Sequence, residues 1–149
     1  MRHFLLCVAL AFTLAGCRDR TSLEDELETR TVTLPNGAQV RAEVKIRSKD
    51  MAQGMMFREA LPRGQGMLFI HSQPGPHRYY MYNVRIPLDI VFMDSSRRIL
   101  LIAASVPPCH TAASACPTYG GPGDVRYVLE LGAGEAARNG LQTGDTLSF

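Results

Sequence analysis

Between Arg78 and Asp94 the chain reads RYYMYNVRIPLDIVFMD, and this stretch limits the possible folds more than any other. Two apolar segments flank a proline. Side chains alternate across a strand, so Tyr80 and Tyr82 share one face of the first segment while Tyr79 and Met81 share the other. Pro87 supplies no backbone donor and biases Ile86 toward extended geometry, which predicts a strand from Leu88 to Met93. That strand is apolar except for Asp89. A bare carboxylate is costly to bury, so Asp89 must reach water, a hydrogen-bond partner or a cation. Asn83 and Asp89 are expected to share a strand corner, with the Arg58 guanidinium clamping Asp89 through paired hydrogen bonds.

Upstream, Thr31–Leu34 and Ala38–Ile46 flank Pro35-Asn36-Gly37, and Asn-Gly is a strong signal for a hairpin. Ala38, Val40, Ala42, Val44 and Ile46 alternate with Gln39, Arg41, Glu43 and Lys45, as in a strand with one face on the core and one in water. Ser48 is expected to cap a short helix with Asp50 in its first turn, and Met51 and Met55 to face the sheet. Strands follow at Met67–Ile70 and Arg98–Ala104, with Ser72–Pro76 as a loop that leaves His71 and His77 exposed. Val106–Asp124 is a long loop, which needs a staple or a function. Val125–Leu131 is a strand, Gly134–Asn139 a short helix, and Thr146–Phe149 a last strand. About six to eight short strands with two small helices predict a mostly β, β-rich α+β domain, a compact rolled sheet or small barrel.

The chain starts with a targeting segment. Arg2 and His3 are basic, Phe4–Leu14 is apolar, and the segment ends Leu14-Ala15-Gly16-Cys17. Residues 1–16 read as a bacterial lipoprotein signal peptide and Cys17 as the lipidated (palmitate-bearing) residue. The apolar run is short for a membrane-spanning helix, which wants about 20 residues. Residues 17–30 carry the lipid and a charged tether, RDRTSLEDELETR after Cys17, and 31–149 form a single domain. A lipid anchor places that domain on the periplasmic side of the cell envelope, with the membrane itself as a partner. The formal net charge is only +2, without the basic footprint that nucleic acid requires.

The motifs in their order are similar to those of the family called domain of unknown function 192. Its hallmark, Phe-Trp-Met-Lys-Asn-Thr then Ile-Pro-Leu-Asp, is matched by Tyr79-Tyr80-Met81-Tyr82-Asn83-Val84 and Ile86-Pro87-Leu88-Asp89. Gly54-Met55-Met56-Phe57-Arg58, Gly66-Met67-Leu68-Phe69 and Tyr127-Val128-Leu129-Glu130-Leu131 resemble further segments of it. Tyr80, Tyr82 and Val84 depart from the family pattern and remove a cation and a hydroxyl. The resemblance implies a compact β-rich domain and brings no established activity.

Cys7 leaves with the signal and Cys17 takes lipid, so Cys109 and Cys116 are left to pair. In an oxidising compartment a disulfide is the default. A metal site using both thiolates and His110, or a redox pair, would more commonly show Cys-x-x-Cys spacing. The seven methionines suit Cu(I) as soft ligands, but they are dispersed through apolar patterns and read as core filling. No metal or cofactor is expected. Arg58, Asn83, Asp89 and Glu130 each stand in an apolar motif and need partners. Arg58, Asn83 and Asp89 either belong to a structural network that pins a barrel corner or, with Tyr80 and Tyr82 beside them, form the candidate binding site for an envelope glycan or peptide. The domain is therefore read as a binding or envelope-accessory module. The alternative is a hydrolase of such a glycan or peptide, in which Asp89 and Glu130 would have to flank the scissile bond about 5–10 Å apart.

Overall fold

The Asn36-Gly37 turn opens the fold as the alternation predicts. Strand β1 (Thr29–Thr33) pairs antiparallel with β2 (Gln39–Lys45). Gly37 takes the left-handed conformation the turn needs, at φ 85°, and Asn36 accepts the Ala38 N–H through its side chain at 2.9 Å. The computed structural model describes residues 28–121 and 123–149. The signal segment, Cys17 and most of the tether lie outside those residues. Thr29 and Arg30, assigned to the tether from sequence, belong to β1 and pair with Glu43 and Ala42.

Helix α1 (Ser48–Gln53) follows β2. Its N-cap is Arg47 rather than Ser48, and no side chain caps it. Instead Arg47 Nε donates to Asp50 Oδ2 at 2.6 Å, which holds the acid in the first turn. The helix carries the chain over to β3 (Gln65–Gly75), which lies parallel to β2. β3 runs on through the predicted Ser72–Pro76 loop, so it is much longer than the apolar run Met67–Ile70. Then come β4 (Arg78–Tyr80), β5 (Leu88–Met93), β6 (Ile99–Val106), a 3-10 turn (Ala113–Ala115), β7 (Thr118–Gly120), β8 (Val125–Gly132) and helix α2 (Glu135–Arg138).

Six strands form one sheet in the order β1-β2-β3-β8-β5-β6, while β4 and β7 form a separate two-stranded ribbon. The sheet is not closed into a barrel. Its edges, β1 and β6, are instead touched by the chain's last residues, through single bridges Thr33–Ser148 and Arg98–Thr146. The predicted C-terminal strand is reduced to these bridges.

The centre of the sheet is buried on both faces, so β5 loses the alternation of a one-sided strand: all six of its residues are buried. Leu68, Val91, Met93, Leu129 and Leu131 pack on one face with Ala136 of α2. Met67, Phe69, Leu88, Ile90, Phe92 and Val128 pack on the other, with Met55 and Met81 over them. Fully burying one such side chain is worth about 1.5–3 kcal/mol, so these two clusters dominate the favourable side of folding. Met55, Met67, Met81 and Met93 are part of this packing, as the sequence suggests.

Candidate functional site

Among the described residues Asp89 and Glu130 are the two buried acids, at 0% and 6% exposure. Register separates them. On β5 and β8, Asp89 stands opposite Leu131 and Ile90 opposite Glu130. Directly opposed residues share a face and successive ones do not. Asp89 therefore lies on the α2 face and Glu130 on the α1 face. They do not flank one cleft, and the carboxylate pair that a two-acid hydrolase would need is not formed by these residues.

Asp89 is fully engaged, but not by Arg58. Its Oδ1 accepts the Ser105 N–H at 2.7 Å and its Oδ2 the Ala136 N–H at 2.8 Å. Ala136 lies in the first turn of α2, where free N–H groups point outward and a negative charge is favoured. Ser105 is held at φ 50°, a left-handed conformation that presents its N–H to the carboxylate. Asp89 thus pins β6 and α2 to the end of β5. Arg58 pairs with Glu43, Nη1 to Oε1 at 2.5 Å and Nη2 to Oε2 at 2.7 Å. The fork-to-fork geometry is the one that suits Arg and a carboxylate. The paired hydrogen bonds hold the Glu43 carboxyl below the usual carboxylate range and the guanidinium above its own. Sequence reading gave Arg58 the right kind of partner and the wrong acid, because Glu43 looked like an outward position of a half-exposed strand.

Asn83 sits at φ 56° in a tight turn closed by the Val84 N–H on the Met81 carbonyl at 3.2 Å. Asn tolerates that conformation better than most residues. Its carbonyl accepts the Phe57 N–H at 2.8 Å, which ties the turn to the segment after α1. Phe57 is itself left-handed, at φ 67°, and 55% exposed. Bulky residues rarely adopt that conformation, and it costs of order 1–3 kcal/mol.

Glu130 is the acid that faces open space. It lines a cavity of about 320 Å³ between α1, β3 and β4, walled by Met51, Met55, Phe69, Tyr79 and Tyr80. Glu130 Oε2 is buried without a hydrogen-bond partner. Burial pushes its carboxyl up to about 8, against a smaller downward pull from the Arg58 charge. It therefore carries its proton at neutral pH. Gly54 is required at the cavity's edge: a Cβ there would meet the Phe69 ring at 3.3 Å, and its φ is +44°.

Tyr79 forms the wall nearest the core. Its ring meets Phe69 and Phe92 edge to face, with centroids 5.1 and 5.8 Å apart. Its hydroxyl shares a 3.0 Å hydrogen bond with His71 Nε2. Desolvation, with the nearby Glu130 charge adding to it, raises the Tyr79 hydroxyl far above its ordinary value. His71 stacks on His77 at 3.4 Å between centroids. Both rings are half-buried, not exposed as the sequence reading had them. Desolvation first, then His77 and Arg126, lowers His71 to about 4.

The ribbon carrying Tyr79 and Tyr80 is held from behind. Tyr79 pairs with Tyr119 across β4–β7, the Cys109 N–H bonds the Met81 carbonyl at 3.2 Å, and Cys109 is joined to Cys116 with Cα atoms 5.9 Å apart. The long loop is thus stapled by the expected disulfide, and neither thiolate is left for the metal site with His110. Among the described residues no cluster of three or more His, Cys, Asp or Glu could hold a metal ion.

Of the residues chosen for a site from sequence, Tyr80 and Glu130 line the cavity. Tyr82 stacks beside Tyr80 with centroids 6.2 Å apart and Arg58 lines an adjoining groove. Asn83 holds a turn and Asp89 lies on the opposite face. Met51, Met55, Phe69, His71 and Arg78 were missed. Their signal was apolar or basic residues that look like core or surface until α1 folds over β3.

No curated protein matches the chain. A protein of unknown function from Novosphingobium aromaticivorans DSM 12444 shares 33% identity, with a TM-score of 0.74 over 81% of this chain and 85% of that one. A candidate transcription regulator from Sinorhizobium meliloti 1021 shares 30% identity, with a TM-score of 0.70 over 79% of this chain and 89% of that one. The model of DUF192, described as uncharacterized ACR, matches residues 31–149. The chain belongs to the DUF192 family.

Proposed function

We propose that this protein is a lipid-anchored binding module of the bacterial envelope, held at the membrane by Cys17 and facing the periplasm. Its ligand site is the cavity between α1, β3 and β4. One observation carries the binding role: a carboxyl group buried without a partner at an apolar cavity wall. Buried polar groups are almost always satisfied, and a fold that leaves one open beside a void is arranged to receive a group there. The Leu14-Ala15-Gly16-Cys17 motif and the disulfide both suit an oxidising, extracytoplasmic setting.

The binding role is tested by filling the cavity. Ala52 lines it from the exposed side of α1, so Ala52→Trp occupies it without disturbing the core. Soluble envelope peptides and glycan fragments, titrated against methyl-labelled methionine, should shift the Met51 and Met55 signals in the wild type and not in Ala52→Trp. Identical shifts in both proteins would remove the cavity as the site. Cys17→Ser should abolish lipid labelling and detergent partitioning; unchanged partitioning would reject the anchor.

A further inference from the structure

We infer, building on the cavity as a binding site, that the group received at Glu130 is a primary ammonium on an unbranched apolar stem, as a lysine side chain of a peptide presents it. The walls suit the stem. Met51, Met55, Phe69 and Val84 line the cavity and offer methylenes a surface away from water, as long cationic side chains commonly use. Tyr79 and Tyr80 line it too, and aromatic rings attract a cation that passes over a face.

The wall at Glu130 suits the head. The other acid on this face is already satisfied: both Glu43 oxygens take hydrogen bonds from Arg58. The Tyr79 hydroxyl is engaged with His71. Glu130 Oε2 is buried without a partner, and its neutral carboxyl can either accept a hydrogen bond or donate its own proton. Charge selects between the partners. The groups facing Glu130 are Arg58, whose charge is balanced by Glu43, the Tyr79 hydroxyl and His71, both neutral, and the exposed Arg78 at the cavity's outer wall. A hydroxyl would supply a donor and no charge. A ligand carboxylate could only take the carboxyl proton as a hydrogen bond and would keep Glu130 neutral, since ionising both would set like charge against like. An ammonium supplies both the donor and the counter-charge that lets Glu130 ionise: the carboxyl proton leaves to solvent and the ammonium takes its place as partner.

The test is calorimetric titration of the full chain in detergent with three capped residues: N-acetyl-lysine-N-methylamide, its norleucine counterpart and its Nε-acetyl form. Lysine should bind at least roughly tenfold more tightly than either neutral analogue, the scale of one charge-assisted hydrogen bond. At pH 7 its heat should vary with the buffer's ionisation enthalpy, reporting release of about one proton. In Glu130→Gln the three affinities should converge to within about twofold, because the amide cannot supply the counter-charge. Norleucine or Nε-acetyl-lysine binding as tightly as lysine to the wild type would overturn the ammonium assignment while leaving the cavity in use. Failure of all three to bind would overturn the cavity itself along with the assignment.

Discussion

Asp89 and Glu130 lie on neighbouring strands, one register step apart, and both are buried; the two faces of the sheet treat them differently. On the α2 face the backbone supplies donors. The left-handed Ser105 and the first turn of α2 each offer an N–H outside the strand ladder, and Asp89 accepts both. On the α1 face Glu130 is flanked across the ladder by Met67 and Ile90, whose side chains can donate nothing. What lies above it is a cavity, and the guanidinium that acts on it is already paired with Glu43. A buried acid surrounded by backbone donors is part of the scaffold. One left beside apolar neighbours and a cavity is what the proposed ligand site rests on.

The sharpest way to break that contrast is to remove each acid. Asp89→Ala leaves two buried N–H groups unpaired and should cost about 3–4 kcal/mol, read by denaturant unfolding. A loss under about 1 kcal/mol would mean that Asp89 is not the pin described. Glu130 behaves with the opposite sign. Its carboxyl titrates near 8 in the folded protein against an ordinary value of 4.5, so between those values the folded state keeps a proton that the unfolded chain has released. Its contribution to stability is whole below pH 4.5, declines as pH rises and is lost above pH 8, a change on the order of 5 kcal/mol. Glu130→Gln should flatten that slope and leave the protein more stable than wild type at pH 8. Parallel pH profiles for the two proteins would place the carboxyl in an ordinary environment.

Much of this was legible from the residues. The Asn36-Gly37 hairpin, the strand after Pro87, the Cys109–Cys116 staple and the need of Asp89 for a partner all follow from local chemistry. What was not legible depends on register and on chain reversal. Asp89 finds its donors on Ser105 and Ala136, far along the chain, and backbone donors leave no mark in a sequence. Arg58 meets Glu43 only because α1 brings its segment back over β2. Glu130 looked like a catalytic partner for Asp89 because type and spacing do not say which face of a sheet each residue takes. The cavity was invisible for the same reason: Met51, Met55 and Phe69 read as core, and they are core on one side only.

Smaller effects sharpen the comparison. The disulfide secures the ribbon that walls the cavity, so replacing Cys109 and Cys116 by Ser should cost about 2–3 kcal/mol for so short a loop. It should also raise hydrogen exchange in β4 and β7 more than in β5 and β8; equal increases throughout would show that the ribbon does not depend on the staple. Glu43 and Arg58 are each about a third exposed, so their coupling in a double-mutant cycle should be only about 0.5–1 kcal/mol. A cycle between Arg58 and Asp89 should show none, since they share no contact. Coupling in that second cycle would restore the pair that the motif suggests.

The account turns on one carboxyl, and its titration can be watched directly. With glutamate labelled at the side-chain carboxyl carbon, and Glu130→Gln used to assign the signal, the carbon-13 shift of Glu130 should move with a midpoint close to pH 8. It should stay at the protonated position through neutral pH. A midpoint near 4.5, the ordinary value, would mean that Glu130 is solvated or already paired, and would contradict the reading of this face as a site left open for a ligand.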